Sequence, residues 1–195
     1  MRVFRRLSPV YAFATVIFVS LTFLSIAQGA QRAKAAKCDI KNFGCVNEKL
    51  YRGAQPKDQD FADLAAMGVK TVIDLQKGGM DREQTLVEAR GMTFYRIGMS
   101  DKDQPAPEQV ELFLKIVNNP ANQPVFIHCA GGRHRTGAMS AIYRMTHDGW
   151  TADQAFQEMK QYDFNYGMGH GPLKNYVYDY YSHIEQKGVV VKSKD

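Results

Sequence analysis

Residues 124–137 read PVFIHCAGGRHRTG. A short apolar run ends in His128 and Cys129, two adjacent glycines follow, and helical spacing resumes at Thr136. Such a run has the length of a buried strand. A strand that enters a helix through a glycine-bearing loop points successive backbone N–H groups inward, with the helix N-terminus behind them. That is an anion cradle. Cys129 and Arg135 enclose five residues, so one turn of loop sets the planar guanidinium opposite the sulfur, where it can grip two phosphate oxygens. The same donors stabilise a thiolate when the cradle is empty, taking a cysteine from ~8.5 into the range of roughly 3.5–7.5. An ionised sulfur is a nucleophile.

Outward from this loop the chain reads as one α/β domain without repeats. Strands are predicted over 46–51, 69–75, 93–97 and 124–128. Helices are predicted over 58–67, 81–90, 107–118, 136–147, 151–162 and 172–186. Gly68 and Gly91 sit where a left-handed residue closes a helix. Thr151 with Gln154 forms a capping box, and Gly149 stops the preceding helix. Strand–helix alternation predicts a central, mostly parallel sheet flanked by helices. The tail 189–195 is expected to fray.

With 45% hydrophobic and 23% charged residues in 195, the chain is neither low-complexity nor collagen-like, and it is long enough to bury a core. The net charge of +5 is concentrated at one end. Residues 1–37 carry six basic side chains and no acid, while 38–195 carry 19 basic and 20 acidic ones. A near-neutral domain lacks the basic face that nucleic-acid binding needs, so no nucleic-acid partner is expected. Arg2, Arg5 and Arg6 precede the apolar stretch 10–27, the pattern of a secretory signal. Its 18 residues also fit an uncleaved membrane anchor. The division expected is therefore a leader or anchor with a short linker over 1–37 and a catalytic domain over 38–195. The expected location is exported: periplasmic, or anchored in the inner membrane and facing the periplasm, with membrane contact only through an uncleaved leader. Cys38 and Cys45, seven positions apart, are disulfide candidates in such a compartment, with two free thiols as the alternative.

The string His128-Cys129-x5-Arg135-Thr136-Gly137 resembles the signature loop of the cysteine-dependent protein tyrosine phosphatase superfamily, in its compact bacterial dual-specificity branch. The resemblance takes in Leu50-Tyr-Arg-Gly-Ala-Gln-Pro56, the 69–75 strand, an aspartate-bearing loop and Gly149-Trp-Thr151, and covers roughly residues 40–186. It implies hydrolysis of a phosphorylated protein or small phosphomonoester through a phosphocysteine on Cys129, with no cofactor and no metal. Arg135 would bind the phosphoryl oxygens along with the loop residues Ala130, Gly131, Gly132, Arg133 and His134. Thr136 would hydrogen-bond the sulfur, and His128 would order the loop and tune the thiol. The family's general acid is an aspartate upstream of the signature, here Asp101 or, alternatively, Asp103. Arg133 and His134 add positive character at the rim. That pair is similar to the Lys-His pair of atypical dual-specificity phosphatases acting on inositol pyrophosphates, so an inositol phosphate or phosphoinositide phosphatase is the alternative. A phosphate-binding module with little turnover is another, and sulfur transfer at Cys129 a third.

The remaining candidates have plainer readings. Arg52 is expected in a structural salt bridge. His147 is expected as a cation at a helix C-terminus. His170 lies between glycines and His183 on an aromatic helix, and no His pair has metal-ligand spacing.

Overall fold

The computed structural model describes residues 38–165, 167 and 169–188. The leader and anchor readings of 1–37, and the fraying of 189–195, lie outside the described residues. Five strands form one sheet: β1 (Gly44–Asn47), β2 (Leu50–Ala54), β3 (Thr71–Gln76), β4 (Thr93–Met99) and β5 (Val125–Cys129), in the order β1-β2-β5-β3-β4. Only the β1–β2 pair is antiparallel. The helices are α1 (Asp60–Ala66), α2 (Glu83–Glu88), α3 (Pro107–Val117), α4 (His134–His147), α5 (Ala152–Gln161) and α6 (Gly171–Gln186). The mostly parallel α/β sheet expected from the alternation is therefore present. Among the described residues no helix is long and apolar enough to cross a membrane.

Strand periodicity sorts the core into two layers. On β5, Val125, Ile127 and Cys129 face one side, and Phe126 faces the other. On β3, Ile73 and Leu75 join the first layer, and Val72 joins the second. The first layer is closed by α3, α4, α5 and α6 through Phe113, Met139, Ile142, Phe156 and Val177. The second is closed by α1 and α2 through Phe61, Leu64 and Val87. β5 lies between β2 and β3, so its end is braced on both sides: Ala54 is level with Cys129, and Asp74 with His128.

Three readings change. The single strand expected over 46–51 is a hairpin, because Asn47 Oδ1 accepts from the Lys49 N–H at 2.9 Å and turns the chain. The strand expected over 93–97 runs to Met99, which pairs with Gln76. The Cys38–Cys45 disulfide is not formed, and both are free thiols. Their surroundings differ. Cys38 packs on the second layer within reach of the charges of Asp60 and Asp63 on α1. Cys45 is exposed on the edge strand, its Sγ 3.2 Å from Asn47 O. Elsewhere local signals hold: Gly68 and Gly91 close their helices at φ 88° and 73°. The Thr151–Gln154 box is closed in both directions, at 2.8 and 3.2 Å.

Candidate active site

The central strand β5 delivers Cys129 to the C-terminal edge of the sheet, and the loop 130–133 carries the chain into α4. Three donors outside the loop tie its carbonyls outward. The Gln55 N–H donates to Ala130 O at 3.4 Å, Asn42 Nδ2 to Gly131 O at 2.8 Å, and Arg52 Nη2 to Gly132 O at 2.8 Å. A planar trans peptide sets its N–H opposite its carbonyl, so each of these bonds turns the next N–H into the cradle. Gly132 has φ 66°, and a β-carbon there would stand 2.5 Å from the Gly53 carbonyl carbon. Only glycine fits.

Burial pushes the Cys129 thiol up, but four groups outweigh it: the Thr136 hydroxyl, the Thr136 N–H, the Arg135 charge and the Gly132 N–H. The thiol lies below its ordinary value. Thr136 is fully buried, and its hydroxyl has no partner other than the sulfur. Arg135 Nη1 donates to Met99 O at 3.3 Å, which anchors the guanidinium to the end of β4.

The loop after β4 carries both aspartates. Gln109 on α3 clamps it, accepting from the Ala106 N–H at 2.8 Å and donating to Gly98 O at 2.7 Å. Ser100 Oγ accepts from the Lys102 and Asp103 N–H groups at 3.2 and 3.3 Å. Asp101 is half-buried and its charge reaches His134, whereas Asp103 is exposed. The Asp101 carbonyl accepts from His170 Nδ1 at 2.7 Å, which places the proton on Nδ1. The His170 ring stacks on His134 with centroids 3.6 Å apart.

That stack alters the rim. Burial, then His170, then Arg133 lower the His134 pKa to about 4, so His134 is neutral near pH 7. The positive rim expected of the Arg133-His134 pair comes from Arg133 alone, whose side chain folds over Gly131. His128 faces the second layer, opposite to Cys129, as neighbours on a strand must. Its Nε2 lies 2.8 Å from Glu83 Oε1 and its Nδ1 4.0 Å from Asp74 Oδ1, with all three side chains fully buried. Its side chain thus lies on the face of β5 away from the Cys129 sulfur. Asp74, Glu83 and His128 bring metal-ligating atoms within 4.8 Å of one another, but the cation there is Arg96, 2.9 Å from Asp74 and 3.9 Å from Glu83. The salt bridge expected of Arg52 is not found among the described residues: its guanidinium lies under the loop, stacked on Tyr162. Nothing in the sequence pattern marks Asn42 or Glu83, and His170 has only the plain reading of a histidine between glycines. Only their folded neighbours identify them.

A buried thiol in a cradle of N–H groups, a clamped arginine and an aspartate-bearing loop form an arrangement that can hold a phosphoryl group. The family described as DSP-PTPase phosphatase fused to NAD+ kinase matches residues 30–170. The chain belongs to this family. Among curated relatives, the inositol diphosphatase SIW14 of Saccharomyces cerevisiae is 30% identical over 130 residues, covering 64% of the chain and 46% of the relative. The chain thus spans about half the length of that protein. A probable tyrosine-protein phosphatase of Dictyostelium discoideum is 32% identical over 126 residues, covering 62% of the chain and 75% of the relative. Among solved structures, the core catalytic domain of the S. cerevisiae PP-IP phosphatase SIW14, in complex with citrate, has the same fold. Its TM-score is 0.64 at 23% identity, over 77% of this chain and 95% of that one. TpbA of P. aeruginosa superposes with a TM-score of 0.62 at 25% identity, over 76% and 88%.

Proposed function

We propose that the chain hydrolyses phosphomonoesters through a phosphocysteine intermediate on Cys129. The observation that carries this is a thiol held below its ordinary value despite being buried, inside a cradle of N–H groups facing Arg135. The sulfur attacks phosphorus, an S–P bond forms, and the bond to the leaving oxygen breaks. Asp101 gives its proton to that oxygen. Its half-buried place beside His134 supports this choice over the exposed Asp103. Arg135 and the loop N–H groups hold the equatorial oxygens, where charge accumulates in the transition state. Water then attacks phosphorus, the S–P bond breaks with the Thr136 hydroxyl stabilising the departing thiolate, and Asp101 takes up the water proton.

The deciding experiment is steady-state hydrolysis of p-nitrophenyl phosphate by the chain, with chelator present, beside Cys129→Ser. Turnover in the first and none in the second is expected. A burst without turnover in the unsubstituted chain would instead indicate a phosphate-binding module.

A second reading, hydrolysis of inositol diphosphates, is supported by Arg133 at the rim and by the names of relatives such as the yeast inositol diphosphatase. Comparing kcat/KM for a phosphotyrosine peptide and an inositol pyrophosphate separates the two. The basic and apolar pattern of residues 1–37 supports an exported location, periplasmic or anchored in the inner membrane, and fractionation of the expressed full chain tests it.

A further inference from the structure

Arg52, on β2, is the largest fully buried side chain among the described residues, and it carries a charge. Among the described residues no carboxylate lies within ion-pair distance of it. The acid whose charge reaches it, Glu158, is occupied: its Oε1 accepts from Arg144 Nε at 3.1 Å and from Nη2 at 2.7 Å. Arg52 instead donates to Gly132 O at 2.8 Å and stacks 3.8 Å above the Tyr162 ring, with Nε and Nη1 lacking partners. Burial lowers its pKa to about 10, against the opposing charges of Tyr162, Glu158 and Cys129, so it remains a cation at neutral pH. The Tyr162 hydroxyl occupies the space a side chain at position 44 would need, and Gly44 leaves that space open.

A buried charge with no counter-ion is strongly disfavoured, so its retention calls for an anion. Arg52 meets the cradle through Gly132, whose N–H bonds the Cys129 sulfur. We propose that Arg52 is a positioning residue and the buried counter-charge of the loop. It holds the Gly132 carbonyl out of the cradle, and from beneath it balances first the Cys129 thiolate and then the phosphoryl group. The role has a consequence for the loop peptide. With the carbonyl pinned outward, the Arg133 N–H faces the anion; without Arg52 the peptide is free to turn and present its oxygen there.

This rests on the cysteine-phosphatase reading, and its test avoids turnover. The rate at which iodoacetamide alkylates Cys129 would be followed against pH in the full chain. Peptide mass spectrometry would separate Cys129 from Cys38 and Cys45. In Arg52→Gln the midpoint is expected to rise by about one pH unit. Protection of Cys129 by inorganic phosphate should weaken about tenfold. Arg52→Lys, which keeps a cation, is expected to restore much of both. A folded R52Q chain with an unshifted midpoint overturns the proposal, as does an R52K midpoint raised as far as that of R52Q. If R52Q fails to fold by circular dichroism, Tyr162→Leu carries the test. It leaves the guanidinium in place but admits water, and an unchanged midpoint there overturns the proposal. A wild-type chain that alkylates as expected yet hydrolyses no aryl phosphate would count against the phosphatase reading alone.

Discussion

His170 Nδ1 donates to the Asp101 carbonyl at 2.7 Å while its ring lies flat on His134, 3.6 Å between centroids. One side chain therefore spans the aspartate loop and the cysteine loop. His170→Ala is expected to lower kcat about three- to tenfold, the worth of one ordinary hydrogen bond. The loss should be greatest for substrates with poor leaving groups, which depend most on a well-placed acid. Cys129 alkylation should be unchanged. Hydrolysis rates across aryl phosphates of graded leaving-group pKa check this.

The two aspartates should separate cleanly. Asp101→Asn is expected to lower kcat by about 10²–10⁴-fold. Asp103 is exposed and only its N–H is engaged, with Ser100. Asp103→Asn should leave kcat within about twofold, since surface substitutions of this kind change little. Parallel pH–rate profiles of the two variants are the measurement.

The geometry at Gly132 leaves no room for a β-carbon. Gly132→Ala would meet the Gly53 carbonyl carbon at 2.5 Å and hold a non-glycine residue at φ 66°. The expected result is a loss of more than about 1 kcal/mol of stability. Loss of activity should accompany it, because the loop can relax only by moving its N–H groups. Urea titration and p-nitrophenyl phosphate turnover report the two effects separately.

His134 makes stability depend on acid. Its folded pKa of about 4 lies below the ordinary 6.5, so between these values the unfolded chain binds more protons than the folded one. The contribution is fully present above pH 6.5 and is lost as pH falls toward 4. Replacing His134 with Asn should flatten the urea midpoint across that window relative to wild type.

His128 is held from behind by Glu83, 2.8 Å away in a fully buried pair. Glu83→Ala removes one side of that pair and leaves Gln55 Nε2 without its 3.0 Å acceptor. A destabilisation of about 1–3 kcal/mol is expected, the cost of leaving a buried donor unpaired. Glu83→Gln keeps the shape and should cost less. Thermal denaturation of both variants decides it.

The glycines after α1 and α2, the Thr151 cap and the strand 124–128 were legible because each depends on residues within one turn of itself. The β1–β2 hairpin was not, since a single side chain, Asn47, turns the chain there without glycine or proline. The disulfide reading failed for a related reason: proximity in sequence does not set which neighbours each cysteine meets once β1 has become an edge strand.

What the sequence determined by itself was the candidate loop, Cys129 through Arg135 and Thr136, and the strand–helix rhythm around it. Those follow from local geometry: a buried strand, a glycine turn and a helix N-terminus fix where the N–H groups point. The supports of that unit belong to tertiary structure. Arg52 reaches Gly132 across 80 residues, and His170 reaches Asp101 across 69. The aspartate that is half-buried near His134, the histidine that loses its charge and the arginine left, among the described residues, without a carboxylate are all set by burial. Burial is a property of the folded chain, because water is excluded only once distant segments have packed together.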